Sequence, residues 1–150
     1  MKRIWLMALT AALLCNHGAT AQILKPVTWS YGAKKVSATE AIVTFKATID
    51  NGWHVYSQHI KDGGPVKTTF TFKPSKDYAL DGTTIEPKPI TRMEKVFNME
   101  IGYYEHSVIF QQKVKLSTAR AMVTGTLEYM TCNDSQCLPP EDLDFSIPVK

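Results

Sequence analysis

The stretch Ala41-Ile-Val-Thr-Phe-Lys-Ala-Thr-Ile49 decides the fold class of this chain. Every second residue from Ala41 to Ile49 is apolar, and Thr44, Lys46 and Thr48 alternate with them. A period of two residues puts one set of side chains on each face of an extended backbone, because successive side chains of a strand point in opposite directions. The segment is therefore predicted to be a β-strand with one buried face.

Alternation of this kind recurs along the chain. Asp50-Asn51-Gly52 predicts a hairpin turn into a strand over Trp53–Ile60, which would put His54 and Tyr56 on the same face. The other predicted strands share the same apolar period and are Val27–Tyr31, Thr68–Phe72, Val108–Leu116, Met122–Cys132 and Leu143–Val149. In the strand that ends at Cys132, this cysteine is expected on the more polar face.

The remaining segments are predicted to be turns and irregular connections. Gly32–Lys35 is predicted to be a turn, residues 77–89 are irregular because Pro87 and Pro89 exclude a central strand, and residues 91–102 form a loop. Roughly seven strands, with turns about 8–12 residues apart and no predicted helix after the first segment, indicate an antiparallel sandwich. We expect a single all-β domain of immunoglobulin-like type.

The first 21 residues are predicted to be a cleaved signal peptide. Lys2-Arg3 precedes the apolar run Ile4–Leu14, and Ala19-Thr20-Ala21 fits a cleavage site; Cys15 would leave with this segment. The apolar run is too short to span a bilayer as a stable helix. The mature domain is therefore expected to comprise residues 22–150 and to be exported to the periplasm or, as a second choice, secreted.

The charge balance argues against two classes of partner. The chain has 17 basic and 14 acidic residues. Loss of Lys2 and Arg3 would leave fifteen basic residues against the fourteen acidic ones, a net charge of +1. A nearly neutral domain without a basic block has no electrostatic reason to bind nucleic acid or an anionic membrane. No stretch of the mature chain is long and apolar enough to span a membrane.

Two cysteines remain in the mature chain, in the segment Tyr129-Met-Thr-Cys132-Asn-Asp-Ser-Gln-Cys137-Leu-Pro-Pro140. An exported protein meets oxidising conditions, so Cys132 and Cys137 are expected to form a disulfide. A pair this close in sequence has three interpretations: a small structural ring, half of a metal site, or a redox couple.

The residues alone do not decide between the first and the last of these. A zinc site needs two further ligands, and His54, His59 and His106 are scattered without ligand spacing. A ring of this size contributes only about 2 kcal/mol in the chain-entropy model. The hydrophilic turn between Cys132 and Cys137 would equally present the disulfide to an attacking thiolate.

The cysteine segment, with the strand that follows it, resembles the active-site segment of the DsbD N-terminal domain family. Asn51-Gly-Trp-His-Val-Tyr56 resembles that family's strand rich in glycine and aromatic residues, and Tyr103-Tyr-Glu-His-Ser-Val-Ile-Phe110 resembles the segment that carries its cap loop. The resemblance covers essentially the whole mature chain. Two departures are a shorter ring and a cap in which only Glu100 is acidic.

The resemblance implies a thiol–disulfide oxidoreductase of the protein-disulfide reductase type, with an immunoglobulin-like fold. Thioredoxin-like proteins or domains would be its electron donor and acceptor in the periplasm. The redox-active disulfide would be its only redox group, with no cofactor and no metal. Cys137 would form the mixed disulfide with a partner, and Cys132 would resolve it. The chain has neither the transmembrane nor the thioredoxin-like domain of the full-length proteins, so a separate electron donor is expected.

The resemblance also assigns residues around the sulfurs. Tyr103 falls at the position of an aromatic cap that shields them, and His54 and Tyr56 fall on a strand that lines the site. The other expected cap-loop residues are Met99, Glu100, Ile101, Gly102 and Tyr104. A protonated His54 close to the sulfurs would favour the thiolate.

Two other classes of function compete with this interpretation. A secreted binding module for carbohydrate or peptide, with Cys132–Cys137 as a structural disulfide, would need an exposed row of aromatic residues; Trp29 and Trp53 are expected in the core instead. A structural subunit of a surface assembly would need a long unprotected edge strand. Lys113 and Lys115 disfavour such an edge, and we expect a monomer.

Overall fold

The computed structural model describes residues 24–95 and 97–150. The predicted signal peptide, with Cys15, lies outside these described residues. No helix in the two described ranges is long and apolar enough to cross a membrane. In this part of the chain the secondary structure consists of β-strands without any helix, so the predicted all-β class is confirmed.

Eleven strands are found in the described residues, and every pairing between them is antiparallel. In chain order they are β1 Val27–Lys35, β2 Glu40–Ile49, β3 His54–Tyr56, β4 Thr69–Phe72, β5 Tyr78–Ile85, β6 Ile90–Glu94, β7 Met99–Tyr104, β8 Ser107–Leu116, β9 Ala121–Tyr129, β10 Thr131–Cys132 and β11 Glu141–Val149.

The strands form three sheets. Two of them, with strand orders β1-β2-β8-β5 and β11-β9-β4, face each other across the main core. Phe45 on β2 illustrates this packing, because its ring lies 4.6 Å from the ring of Phe70 and 4.9 Å from that of Phe145, both on the opposite sheet. The alternation in β2 predicted one buried face, and the five residues of that face, Ala41, Val43, Phe45, Ala47 and Ile49, are at most 4% exposed.

The third sheet, with strand order β10-β3-β7-β6, carries a second apolar cluster of Tyr56, Ile101, Tyr103 and Cys132. Val55 on β3 belongs to the main core, whereas Tyr56 belongs to the second cluster. The predicted division of this strand into two faces is therefore confirmed. β3 thus contributes to both clusters, and the second cluster contains Cys132.

Three predicted connections are strands instead. β1 continues through Gly32–Lys35, because these residues pair with β2 and the chain turns only at residues 36–39. β5 occupies residues 78–85 as an edge strand with an irregular register against β8, and both prolines follow it. Residues 90–104 form the β6–β7 hairpin, whose side chains lie on a small sheet with mixed burial and so have no clean apolar period.

One predicted strand pairing and one predicted strand end were also wrong. Asp50-Asn51-Gly52 does form a turn, with Gly52 at φ +81°, but β2 pairs with β1 and β8, and β3 pairs with β7 and β10. The turn therefore passes the chain from one sheet to another, and β3 ends at Tyr56 rather than Ile60. A turn signal sets the local chain direction, and long-range packing selects the partner strand.

The predicted strand Met122–Cys132 is divided at Met130. β9 stays in the sandwich, while Thr131 and Cys132 form β10 and pair with Val55 and His54. This change of sheet buries Cys132 to 2% exposure, where a polar face was predicted. Lys113 and Lys115 lie on β8, an inner strand, so they do not protect an edge.

Candidate functional site

Cys132 and Cys137 form a disulfide with an S–S distance of 2.00 Å and a Cα–Cα distance of 4.0 Å. They face each other as a non-hydrogen-bonded antiparallel pair. The flanking bonds are donated by the Asn133 amide to the Gln136 carbonyl (2.9 Å) and by the Leu138 amide to the Thr131 carbonyl (3.0 Å). Pairs of this kind bring side chains closest together in an antiparallel ladder.

The polar turn between the cysteines is stabilised by the side chain of Asn133. Asn133 Oδ1 accepts hydrogen bonds from the amides of Ser135 and Gln136, both at 2.8 Å. An asparagine that bonds to the backbone two residues on stabilises a tight turn. The shape of this turn therefore rests on hydrogen bonds as well as on the disulfide.

The two cysteines differ in accessibility. Cys132 is 2% exposed within the second cluster, whereas Cys137 is exposed at the end of the turn. A thiolate from another protein can attack only a sulfur that it can reach in line with the S–S bond. The arrangement therefore offers Cys137 to a partner and keeps Cys132 behind it.

The disulfide lies in a groove of about 600 Å³ that three segments of the chain enclose. We call this cavity the sulfur groove. β3, the β6–β7 hairpin and the cysteine turn form its walls. Its lining residues are His54, Tyr56, Arg92, Met93, Glu94, Lys95, Phe97 and residues 132–137.

A ring cluster of Tyr103, His54 and Tyr56, with one cation over it, lies beside this groove. The Arg92 guanidinium is 4.9 Å from the centre of the Tyr103 ring, and the Tyr103 ring is 5.1 Å from that of His54. His54 in turn lies 5.2 Å from the ring of Tyr56, and His54 Nε2 is 3.2 Å from the Tyr56 hydroxyl oxygen. The ring cluster includes His54, which lies directly opposite Cys132 in the β10–β3 ladder.

Burial changes the ionisation of His54 and Tyr56, two members of the ring cluster. Burial, and then the charge of Arg92, lower the pKa of His54 below its ordinary value of 6.5. Burial, and then the charge of Glu94, raise the pKa of Tyr56 to about 12. Both side chains are therefore neutral at pH 7, and a protonated His54 that favours the thiolate does not fit this site.

The charged residues of the groove come from the hairpin and from the cysteine turn. Arg92 forms an ion pair with Glu94 on its own strand, and its Nη1 lies 3.7 Å from Asp134 Oδ1 across the groove. Asp134 is 92% exposed, so this second pair is loose. Glu94 and Asp134, rather than the predicted Glu100, are the acidic residues that line the groove.

The predicted cap loop is strand β7 in the structure. Ile101 and Tyr103 face the second cluster beside Cys132, and Met99 packs against it. Tyr104 belongs to the main core, where its hydroxyl donates a hydrogen bond to the Pro87 carbonyl (2.6 Å). Gly102 lies against Pro89 and Ser57, and Glu100 is exposed. The structure thus brings Tyr103 and Ile101 into the cluster around Cys132, while all six residues of the predicted cap loop lie outside the groove lining.

Sequence reasoning missed Arg92, Glu94 and Phe97, which all line the sulfur groove. Phe97 lies near the tip of the β6–β7 hairpin and packs, partly buried, against the cluster that contains Cys132. Asn98 beside it has a positive φ of 50°. Asparagine tolerates positive φ and is typical of turns, so Asn98 is a turn signal that could have indicated the hairpin.

Two competing interpretations find no support in the described residues. There, no group of three or more His, Cys, Asp or Glu side chains is placed to hold a metal ion. Trp53 is 9% exposed in the main core, and Trp29 packs against that core. These tryptophans are therefore not available as an exposed platform for a sugar or peptide.

A β-sandwich domain that presents one sulfur of a disulfide in a surface groove has the arrangement expected of the thiol–disulfide interchange domains. The family model of the thiol:disulfide interchange protein DsbD, N-terminal, matches residues 20–148. The chain belongs to this family and is a thiol–disulfide interchange module. No curated protein matches the chain in sequence.

Three solved structures have a similar fold. The DsbD N-terminal domain of Neisseria meningitidis in the reduced form is 19% identical, with a TM-score of 0.51, and the match covers 78% of this chain and 82% of that one. The N-terminal periplasmic domain of ScsB from Proteus mirabilis is 18% identical, with a TM-score of 0.59, and the match covers 84% and 47% of the two chains.

The third structure is a complex between the DsbD N-terminal and the PilB N-terminal domains of Neisseria meningitidis. The matching chain of this complex is 18% identical to the present chain, with a TM-score of 0.53. The match covers 83% of this chain and 87% of that one. At this level of identity the three structures establish the shared fold.

Proposed function

We propose that this domain relays reducing equivalents between thioredoxin-like proteins in the periplasm, through the Cys132–Cys137 couple. The observation that carries the proposal is the unequal burial of the two cysteines within one groove. A purely structural ring does not need an accessible half. A relay needs one sulfur that a partner can reach and a second one nearby that ends the exchange.

The chemistry needs no other redox group. In the reduced domain, Cys137 loses a proton, and its thiolate attacks one sulfur of the partner's disulfide. An S–S bond forms between the proteins, and the partner's second sulfur leaves as a thiolate. Cys132, deprotonated in turn, attacks Cys137 Sγ, and the partner's first sulfur leaves. The domain is oxidised by two electrons, and the partner is reduced to its dithiol.

The partners and the compartment are inferred from the relatives. A DsbD N-terminal domain was solved in complex with a PilB domain, and the similar ScsB domain is periplasmic. We propose the periplasm as the compartment of this chain, with thioredoxin-like proteins as its donor and acceptor and with net reduction of the acceptor. In this role the domain is an oxidoreductase of the protein-disulfide reductase type, with the disulfide in place of a cofactor.

The aromatic shield of the sulfurs is proposed to involve two residues. Phe97 lines the groove from the hairpin tip, and Tyr103 lies in the cluster around Cys132. Phe97 would cover the groove, and Tyr103 would support it from below. An approaching partner would displace the hairpin tip and so widen its access to Cys137, which is already exposed.

The reduction potential of the couple tests the proposal. The purified domain is equilibrated with glutathione buffers, and its thiols are trapped by alkylation and counted by mass spectrometry. We expect a potential above about −300 mV, the range of labile and catalytic disulfides. A more negative value would identify a structural disulfide and refute the relay.

A further inference from the structure

We propose that Arg92 is the counter-ion of the Cys137 thiolate in the reduced domain. This inference rests on the proposed function and adds to it a residue that stabilises the reactive form of the sulfur. Arg92 lines the same groove as both cysteines, and it approaches the cysteine turn at Asp134, three residues before Cys137. A positive charge next to a thiol favours the thiolate.

The position of the guanidinium is set by groups outside the cysteine turn. Its face lies over the Tyr103 ring at 4.9 Å, and Glu94 on the same strand binds its Nε. A cation held over an aromatic ring and by a carboxylate keeps its orientation whether or not a third group binds it. The Nη1 side of Arg92 is thus directed across the groove toward the cysteine turn.

The contact that Arg92 makes there is weak enough to be exchanged. The Nη1–Oδ1 distance to Asp134 is 3.7 Å, longer than a hydrogen bond, and Asp134 is 92% exposed. Exposed pairs of this type contribute little to stability. When reduction creates a thiolate on Cys137, the same N–H groups gain a second anion on the same turn.

The other ionisable groups of the groove set the sign of the effect. Burial lowers the pKa of His54 and raises that of Tyr56, so both are neutral at pH 7 and add no charge beside the sulfur. Glu94 and Asp134 are anionic and oppose the thiolate. Loss of Arg92 would leave Lys95 as the remaining cation of the groove lining and would disfavour the thiolate, whereas loss of the Glu94 charge would favour it. The groups concerned are His54 and Tyr56 on β3, Glu94 and Lys95 on the hairpin, and Asp134 on the turn.

The pH dependence of Cys137 alkylation in the reduced full-length domain tests this inference. Rates with iodoacetamide are measured by mass spectrometry of the peptide that contains Cys137. We expect Arg92→Gln to raise the midpoint of the profile by about one pH unit, and to slow reduction of oxidised glutathione at pH 7 about threefold. The thiolate fraction falls about tenfold, while nucleophilicity rises about threefold.

Three further variants separate charge from structure. Arg92→Lys keeps the charge, so its midpoint is expected to lie close to that of the wild type. Glu94→Gln is expected to lower the midpoint. Lys46→Gln, which removes an exposed cation on β2 outside the groove, is the control and should leave it unchanged. If Arg92→Gln does not fold, Arg92→Lys still tests the inference through a midpoint close to that of the wild type, and Glu94→Gln tests it through the sign of its shift.

Two results would overturn the inference: a midpoint in Arg92→Gln equal to that of the wild type, or a shift of Arg92→Gln and Glu94→Gln in the same direction. If the wild-type domain exchanges normally with oxidised glutathione, either result refutes the role of Arg92 as counter-ion and leaves the proposed function standing. A wild-type domain that does not exchange with oxidised glutathione refutes the proposed function itself.

Discussion

Cys132 and Cys137 share one disulfide, yet Cys132 lies in an apolar cluster and Cys137 lies at the surface. The difference arises because β10 places Cys132 opposite the buried His54, while the polar turn carries Cys137 back out. A symmetric ring on a surface loop would offer both sulfurs equally. This ring leaves one sulfur exposed and covers the other.

The two cysteines should therefore behave differently when one is removed. We expect Cys132→Ala to form a stable mixed disulfide through Cys137, because the sulfur that resolves it is absent. Cys137→Ala leaves only the buried Cys132 thiol. This thiol should react with iodoacetamide at least about tenfold more slowly than the Cys137 thiol of Cys132→Ala. Both rates are measured by mass spectrometry at pH 7. Equal rates in the two variants would contradict the assignment of roles.

The disulfide should contribute little to stability. The ring closes over a sequence separation of 5 residues, and the chain-entropy model gives about 2 kcal/mol for so short a loop. We expect reduction, or the double change Cys132→Ala and Cys137→Ala, to lower the free energy of unfolding by about 2 kcal/mol or less. Denaturant unfolding measures this difference. A loss above about 4 kcal/mol would point to a structural role.

Phe97 should control access of small molecules to the sulfurs. Phe97→Ala opens one wall of the groove, so we expect reduction of the disulfide by dithiothreitol to become several-fold faster, about three- to tenfold. Phe97→Leu keeps an apolar side chain of similar bulk and is the matched control. The rate is followed by alkylation of the released thiols.

Tyr103→Ala should produce a different combination of effects. Tyr103 is 8% exposed and supports both Arg92 and His54, so its truncation should cost about 3–5 kcal/mol of stability, as is typical for a buried aromatic residue. Thermal unfolding detects this loss. If Tyr103→Ala alone accelerates reduction and Phe97→Ala does not, the shield belongs to Tyr103.

His54 should make the domain less stable in mild acid. Burial lowers its pKa in the folded state, so below its ordinary pKa of 6.5 the unfolded chain binds more protons than the folded one. The free energy of unfolding should therefore decrease as the pH falls through 6.5, until the lowered pKa of the folded state is reached. His54→Phe should flatten this part of the profile, with His59→Gln as the control. An unchanged profile in His54→Phe would contradict the burial argument.

Gly125 should tolerate no side chain. A Cβ at this position in β9 would lie 2.2 Å from the Thr71 carbonyl oxygen and 2.5 Å from Phe145 Cζ. We expect Gly125→Ala to destabilise the domain by about 1–3 kcal/mol or more, as overpacking of a core does. Gly32→Ala is the matched control, because a Cβ there meets nothing within 4 Å. Thermal unfolding compares the two variants.

The sequence by itself determined the all-β class, the long strands and the cysteine pair. The alternation over Ala41–Ile49, Val108–Leu116 and Leu143–Val149 survives in the structure because a period of two is a local property of an extended backbone. The resemblance in the cysteine segment also led to the family, since it depends on residues that are neighbours in the chain.

Tertiary structure alone decided which strands meet and what surrounds the sulfurs. The partner strands of β3, the move of Cys132 into another sheet and the hairpin wall with Arg92 and Phe97 arise from pairings between distant segments. No local pattern encodes these pairings, because the free energy that selects them comes from burial of side chains far apart in sequence. The same burial keeps His54 neutral and leaves Cys137 as the accessible half of the disulfide.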